Sequence, residues 1–312
     1  MHLPEAHIIE AMSIDAAHAD DGTIKFHTPL DDGHQVESVI LPMTSKSGRL
    51  RHTLCVSSQV GCAMGCTFCE TAQMGLMRSL TAEEILLQWS VAHHRFGTTI
   101  DNIVFMGMGE PLDNAETVIE SIRQLTDQTG PSIAPSRISV STVGRIDGLQ
   151  RLSELVSEPG FHRIRLAVSV NAPNDTIRSS IMPLNRAMPM AALHSALVQW
   201  IQRHRFPILI EYVLIPGVND EMKHAEELAL WIAGLPCRVN VIPYNPRRDS
   251  PWPAPDDETV DAFATTLRNQ GLAVSRRITL GRSLMAACGQ LGTELIRKRR
   301  HVQIETATVR TG

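Results

Sequence analysis

From Thr53 to Thr279, short runs rich in Val and Ile alternate with longer segments of helical period. This alternation limits the possible fold more than any other feature of the chain. The apolar runs are Thr53–Ser57, Asn102–Met106, Ile138–Thr142, Ile164–Val170, Ile208–Leu214 and Val239–Pro243. They are too short for buried helices and read as strands. Helical segments fall between and after them, at Thr81–His94, Asn114–Thr126, Asp147–Ser157, Met188–His204, Asn219–Ala233 and Asp256–Asn269. Thr81-Ala82-Glu83-Glu84 spells a capping box, and Asn114 offers a side-chain cap. Six strand–helix units with no apolar hairpin among them predict an α/β fold built on a parallel sheet. Six units fall short of the eight that close a (β/α)8 barrel. A curved, open (β/α)6 partial barrel is expected, with Leu272–Ile278 as an added edge strand. Residues 1–52 read as a small β-rich extension. Asp20-Asp21-Gly22 and Asp31-Asp32-Gly33 are turn signals around Thr23–His27, and Val36–Leu41 reads as a strand. The expected divisions are 1–52 for the extension, 53–279 for the partial barrel and 280–312 for a C-terminal segment.

In such folds the chemistry lies beyond the C-terminal ends of the strands. Directly after the first strand stand Cys62, Cys66 and Cys69, spaced C-x3-C-x2-C. A [4Fe–4S] cluster takes one protein ligand per iron, commonly a thiolate. Three thiolates therefore leave one iron open to a small molecule. A zinc knuckle wants four ligands, usually as two close pairs. No second pair exists, and Cys55, Cys237 and Cys288 are scattered, although His52 is a possible fourth ligand. The first five residues lack the basic-then-apolar pattern of a secretory signal, so reduced thiols and a cytoplasmic location are expected.

Further chemistry-bearing residues follow the other strands. Met106-Gly107-Met108-Gly109-Glu110-Pro111 joins glycines, which permit close backbone approach, to a carboxylate able to meet an ammonium group. Ser141 ends the third strand, Ser169-Val170-Asn171 the fourth, and Asn245 follows the sixth. Singly, each reads equally well as a helix cap. Together they line one rim. Cys237 lies at the opposite end of its strand and reads as a small buried apolar residue.

The C-x3-C-x2-C spacing, with Phe68 before its third cysteine, resembles the radical SAM superfamily, in which the open iron takes S-adenosylmethionine (SAM). A narrower resemblance is carried by Leu54–Gly61 running into Cys62–Cys69, Thr71-Ala72-Gln73, Gly107–Pro111, Ala172-Pro173-Asn174-Asp175, Ile210-Glu211-Tyr212-Val213 and Ala286–Leu291. These motifs, in this order, are similar to the RlmN and Cfr family of radical SAM RNA methyltransferases. The resemblance implies a partial barrel, one [4Fe–4S] cluster, SAM, and methylation of carbon 2 or carbon 8 of an adenine in ribosomal or transfer RNA. Residue by residue, it implies that Cys62, Cys66 and Cys69 hold the cluster. It places Gly109, Glu110, Ser141, Ser169, Val170, Asn171 and Asn245 against SAM. It makes Cys288 the methyl-carrying cysteine, Cys55 the cysteine that resolves it through a transient disulfide, and Glu37 the proton acceptor. An electron donor such as flavodoxin or ferredoxin is implied as a partner, and a monomer is expected.

The chain differs from that family pattern in three places. The region before Glu37 is short, leaving no room for the helical RNA-binding domain of larger relatives. Leu280-Gly281-Arg282-Ser283-Leu284-Met285 replaces a segment that usually carries an acidic pair. Asn171 stands where a His is common. Net charge is −4 and aromatic residues make up 4%, so neither whole-chain attraction to nucleic acid nor a broad base-stacking surface is expected. RNA contacts must then come from local charge: Lys46, Arg49 and Arg51, Arg276 and Arg277, and the tail Arg297-Lys298-Arg299-Arg300-His301. With no apolar run of about eighteen residues, no membrane span is expected. Two other readings are a radical SAM enzyme acting on a protein or small molecule, and a non-enzymatic iron–sulfur sensor.

Overall fold

In a computed structural model of the chain, residues 6–44 and 47–292 are described. The strands are β1 (Ala16–His18), β2 (Ile24–Pro29), β3 (Gln35–Thr44), β4 (Leu50–Cys55), β5 (Gln59–Gly61), β6 (Leu76–Ser79), β7 (Ile100–Phe105), β8 (Ile138–Thr142), β9 (Arg165–Ser169), β10 (Ile208–Leu214), β11 (Cys237–Pro243) and β12 (Val274–Arg276). The helices are α1 (Ala6–Ala11), α2 (Glu70–Gln73), α3 (Ala82–Ser90), α4 (Ala115–Thr126), α5 (Ile146–Ser157), α6 (Asp175–Ile181), α7 (Met190–Arg203), α8 (Met222–Trp231) and α9 (Asp257–Asn269).

Ten strands form one sheet in the order β1-β2-β3-β4-β7-β8-β9-β10-β11-β12. From β4 onward every pairing is parallel, which gives the six expected strands plus the expected edge strand β12. The interior of β9, Leu166-Ala167-Val168, is apolar and buried because helices cover the sheet, while β8 and β10 carry Ser139, Ser141 and Glu211 among their apolar residues. β1 to β4 pair antiparallel, so the N-terminal strands extend the barrel sheet from its β4 edge. One apolar core runs through both regions, from Ile9 and Phe26 to Phe263 and Leu267.

The Thr81 capping box forms: Thr81 Oγ1 accepts from Glu84 N at 3.3 Å, and Glu84 Oε2 accepts from Thr81 N at 2.9 Å. The expected Asn114 cap does not. Its side-chain amide instead donates to Ser58 O and Leu80 O, tying the start of α4 to the segments flanking the cysteine loop. Among the described residues no helix is long and apolar enough to cross a membrane.

Candidate active site

The cysteine loop is held by the antiparallel pair β5–β6. Gly61 has a φ of +78°, and a Cβ there would meet Gly75 O at 1.9 Å, so only glycine fits. Cys62 N donates to Gly75 O at 3.1 Å, and Gln73 Nε2 donates to the carbonyls of Cys66 and Cys69. Arg247 Nε donates to Thr67 O at 2.8 Å. These bonds leave the three sulfurs facing one cavity of about 150 Å³. Burial pushes the Cys62 thiol up to about 12, burial plus the neighbouring sulfurs raises that of Cys66, and burial with Glu70 nearby raises that of Cys69. Neutral thiols gathered so closely suit a cationic body that would draw off their protons. Among the described residues no three His, Cys, Asp or Glu side chains converge on a single-ion site. A four-iron cluster is larger, and each thiolate meets a different iron.

The same cavity is lined by Gly109, Glu110, Ser141, Ser169, Asn171 and Asn245, which brings together six of the seven residues expected against SAM. Val170 is not among them. It is fully buried behind the wall, with its carbonyl accepting from Arg178 Nε at 3.1 Å. Asn171 lines the cavity, yet its side chain is committed to the fold. Its φ is +56°, its Oδ1 accepts from Val213 N at 2.9 Å, and its Nδ2 faces Met182 Sδ at 3.6 Å. Gly109 has a φ of +99° and packs where a Cβ would meet Gln59 at 2.6 Å. The Glu110 carboxylate accepts from Leu112 N at 3.0 Å and Val143 N at 2.9 Å. Burial raises its pKa to about 7 in spite of these bonds.

A second cavity, of about 550 Å³, opens on the other side of the barrel interior. It shares Met106, Glu211, Ile242, Asn245, Arg277, Cys288 and Leu291 with the first, so these residues form a waist between the two. Cys55, at the end of β4, lines only the larger cavity. Burial, with Cys288 nearby, pushes its thiol up to about 12. The Arg277 guanidinium is held charged by the neighbouring Cys288, Glu211 and Cys55.

Cys288 is carried by a strap that crosses from the N-terminal strands to the cysteine loop. Asp21 Oδ2 accepts from Gly281 N at 2.8 Å, and Lys25 Nζ donates to Met285 O at 3.2 Å. Beyond the cysteine, Glu70 N donates to Gly289 O at 2.7 Å, and Thr71 Oγ1 donates to Leu291 O at 2.5 Å. Glu37 is part of this fastening and lines neither cavity. Its carboxylate pairs with Lys25 Nζ at 3.0 Å and His27 Nε2 at 3.1 Å, and accepts from Gly292 N at 2.8 Å. His27 and Lys25 together hold its pKa below the usual range against the cost of burial.

Of the residues expected at RNA, Arg51, Arg276 and Arg277 line the larger cavity. Arg49 is exposed and lies 3.5 Å from Asp101. Lys46 and the basic tail Arg297–His301 fall outside the described residues. Arg137, Arg165 and Asn240 belong to the same wall and are not singled out by sequence, and Glu211, also there, is read only as part of a motif with no role assigned. Their signal is positional, since they stand at or within strand segments whose alternate side chains face the barrel interior.

A partial barrel with a three-cysteine loop after its first parallel strand defines the radical SAM class, and the model of the Radical SAM superfamily matches residues 56–229. A probable dual-specificity RNA methyltransferase RlmN 1 of Protochlamydia amoebophila is 43% identical over 90% of this chain and 76% of its own length. A dual-specificity RNA methyltransferase RlmN of Bdellovibrio bacteriovorus is 42% identical over 88% of this chain and 66% of its own. The crystal structure of a radical SAM methyltransferase from Sphaerobacter thermophilus superposes with a TM-score of 0.82 at 42% identity, covering 89% of this chain and 80% of that one. The chain belongs to the RlmN family within the radical SAM superfamily. That family implies a [4Fe–4S] cluster and SAM.

Proposed function

We propose that the protein methylates an adenine ring carbon of RNA, with Cys62, Cys66 and Cys69 holding the cluster and Cys288 carrying the methyl group. The observation that carries this reading is the place of Cys288 at the waist, facing the cysteine-lined cavity on one side and Cys55 on the other. A thiol so placed serves both halves of a relay. In the first half its thiolate attacks the methyl carbon of SAM, forming an S–CH3 bond as the sulfonium–methyl bond breaks and S-adenosylhomocysteine leaves with the electron pair. When bound and reduced by a flavodoxin- or ferredoxin-type donor, the cluster supplies the electron that cleaves a second SAM and so activates that methyl group for attack on the ring. In the second half the Cys55 thiolate attacks the Cys288 sulfur, forming the S–S bond and breaking the S–CH2 bond to the RNA; the bonding pair leaves with the methylene carbon, which takes up a proton and becomes the methyl group. Glu110 meets the SAM ammonium, while Ser141, Ser169 and Asn245 offer polar contacts along the same rim. Glu37 stays the proposed acceptor of the ring proton, a role for which its carboxylate would have to leave the bonds to Lys25, His27 and Gly292 that hold it outside both cavities.

Anaerobically reconstituted protein tests this. With RNA present it should convert SAM into 5′-deoxyadenosine and S-adenosylhomocysteine, and an iron–sulfur sensor would make neither. Cys288→Ala should abolish methyl transfer and keep the cluster absorbance. Cys55→Ala should trap RNA covalently on the protein, and normal turnover by that variant would remove Cys55 from the mechanism. Mass mapping of nucleosides from cells with and without the protein identifies the RNA and distinguishes carbon 2 from carbon 8.

A further inference from the structure

The reaction just proposed must bring an adenine to the waist beside Cys288. Resting on that reading, we infer that Glu211 recognises the base there. Its carboxylate accepts a hydrogen bond from the exocyclic amine, and Arg277 donates to the adjoining ring nitrogen.

Glu211 stands in β10, in register with Ser169 on β9 and Asn240 on β11. It is 3% exposed and lines both cavities. Asn240 Nδ2 donates to its Oε1 at 3.0 Å, which orients the carboxylate. Oε2 is buried and accepts no hydrogen bond from any described residue. Arg277 Nη1 lies 3.7 Å from it, an ion-pair distance too long for a hydrogen bond. Arg277 is anchored through its backbone, N donating to Val241 O at 2.9 Å, and its Nη1 lies 3.8 Å from Met106 Sδ.

A buried acceptor left open is costly, so its presence at a cavity wall points to a ligand that supplies the missing donor. The waist thus offers an acceptor beside a donor, with Met106, Ile242 and Leu291 as apolar surface for ring faces. Adenine presents the complement, an amine donor next to a ring-nitrogen acceptor. A base with a carbonyl in place of the amine would set oxygen against carboxylate. A base with hydrogen there would leave Oε2 unpaired. The alternative is that Glu211 serves only as counter-charge to Arg277, and such a role would not distinguish these bases.

The test uses an RNA oligonucleotide spanning the position found by nucleoside mapping, made with either adenine or purine at the target. Purine lacks only the amine. In competition, wild-type reconstituted protein should favour adenine over purine in kcat/KM by about ten- to a hundred-fold. Glu211→Ala should bring the ratio close to one, and Glu211→Gln, which keeps an acceptor oxygen, should fall between. Cluster absorbance reports assembly of each variant, and if Glu211→Ala does not assemble, the Glu211→Gln ratio decides. A wild type indifferent to the amine, or variants keeping the wild-type ratio, would overturn the inference. A nucleoside map with no modified adenine would instead remove the RNA methylation reading and this inference with it, so the two failures are distinct.

Discussion

At the residue scale, the site works through how burial treats individual ionisable groups. Glu110 shows this most directly. Its ordinary pKa is 4.5, and burial lifts it to about 7 in the absence of ligand. The protonated form therefore prevails below neutrality, and the ionised form above it. A SAM ammonium interacts favourably with the ionised form alone. The affinity for SAM should fall as pH drops below about 7 and level off above it. Glu110→Gln should bind more weakly at pH 8 and lose most of that pH dependence. Calorimetric titration of SAM from pH 6 to 8.5 checks this, and a Glu110→Gln variant with the wild-type pH profile would assign the dependence to another group. Cys55 is the contrasting case. Its thiol, at about 12, is a poor nucleophile at rest, which is compatible with the proposed resolving role.

At the scale of elements, the parallel strands and the long helices could be read from the sequence because Val- and Ile-rich runs and helical periodicity are local signals. The cysteine loop and the rim residues could be read because they follow strand ends. Two features could not. The short helix α6 has seven residues, too few for a clear periodicity. Its Arg178 looks like a surface cation in sequence, yet it is 1% exposed. It donates to Val170 O at 3.1 Å, Val143 O at 2.5 Å and Asn185 Oδ1 at 2.8 Å, so one side chain ties together the loops after β8 and β9. Burial lowers its pKa to about 10, which leaves it charged at neutral pH. Val170, which the resemblance places against SAM, stands one residue past the end of β9 with its side chain fully buried, so it does not line the cavity. Arg178→Met keeps the bulk and removes the donors, leaving buried carbonyls unpaired. It should destabilise the protein by about 2–4 kcal/mol. Urea unfolding checks the size, and a loss within 0.5 kcal/mol or so would show that these loops hold without it.

At the scale of the whole molecule, the N-terminal strands act as the mount for the C-terminal strap. Sequence reading separates these regions by more than two hundred residues and offers no local sign that they meet. The link is a buried charge cluster: Lys25 bonds both to Glu37 and to the Met285 carbonyl, and Glu37 bonds to Gly292, so Cys288 is bracketed by contacts to β2 and β3. Removing one member of a buried ion pair is costly because the other is left uncompensated, by about 3–5 kcal/mol. Lys25→Met should therefore weaken the strap more than the barrel. Amide exchange of residues 284–292 should quicken while that of β8 to β10 stays slow, and methyl transfer should fall with the cluster absorbance retained. The pH response carries the sign. Glu37 has a lowered pKa in the fold, so its contribution is present above its unfolded value of about 4.5 and is lost as pH falls through the folded one. Without Lys25 the folded pKa rises, and the loss of the strap on acidification should begin at higher pH in the variant. Equal exchange in the strap of both proteins at pH 7, together with equal acid midpoints, would mean that the bonds from Glu70 and Thr71 hold Cys288 in place alone.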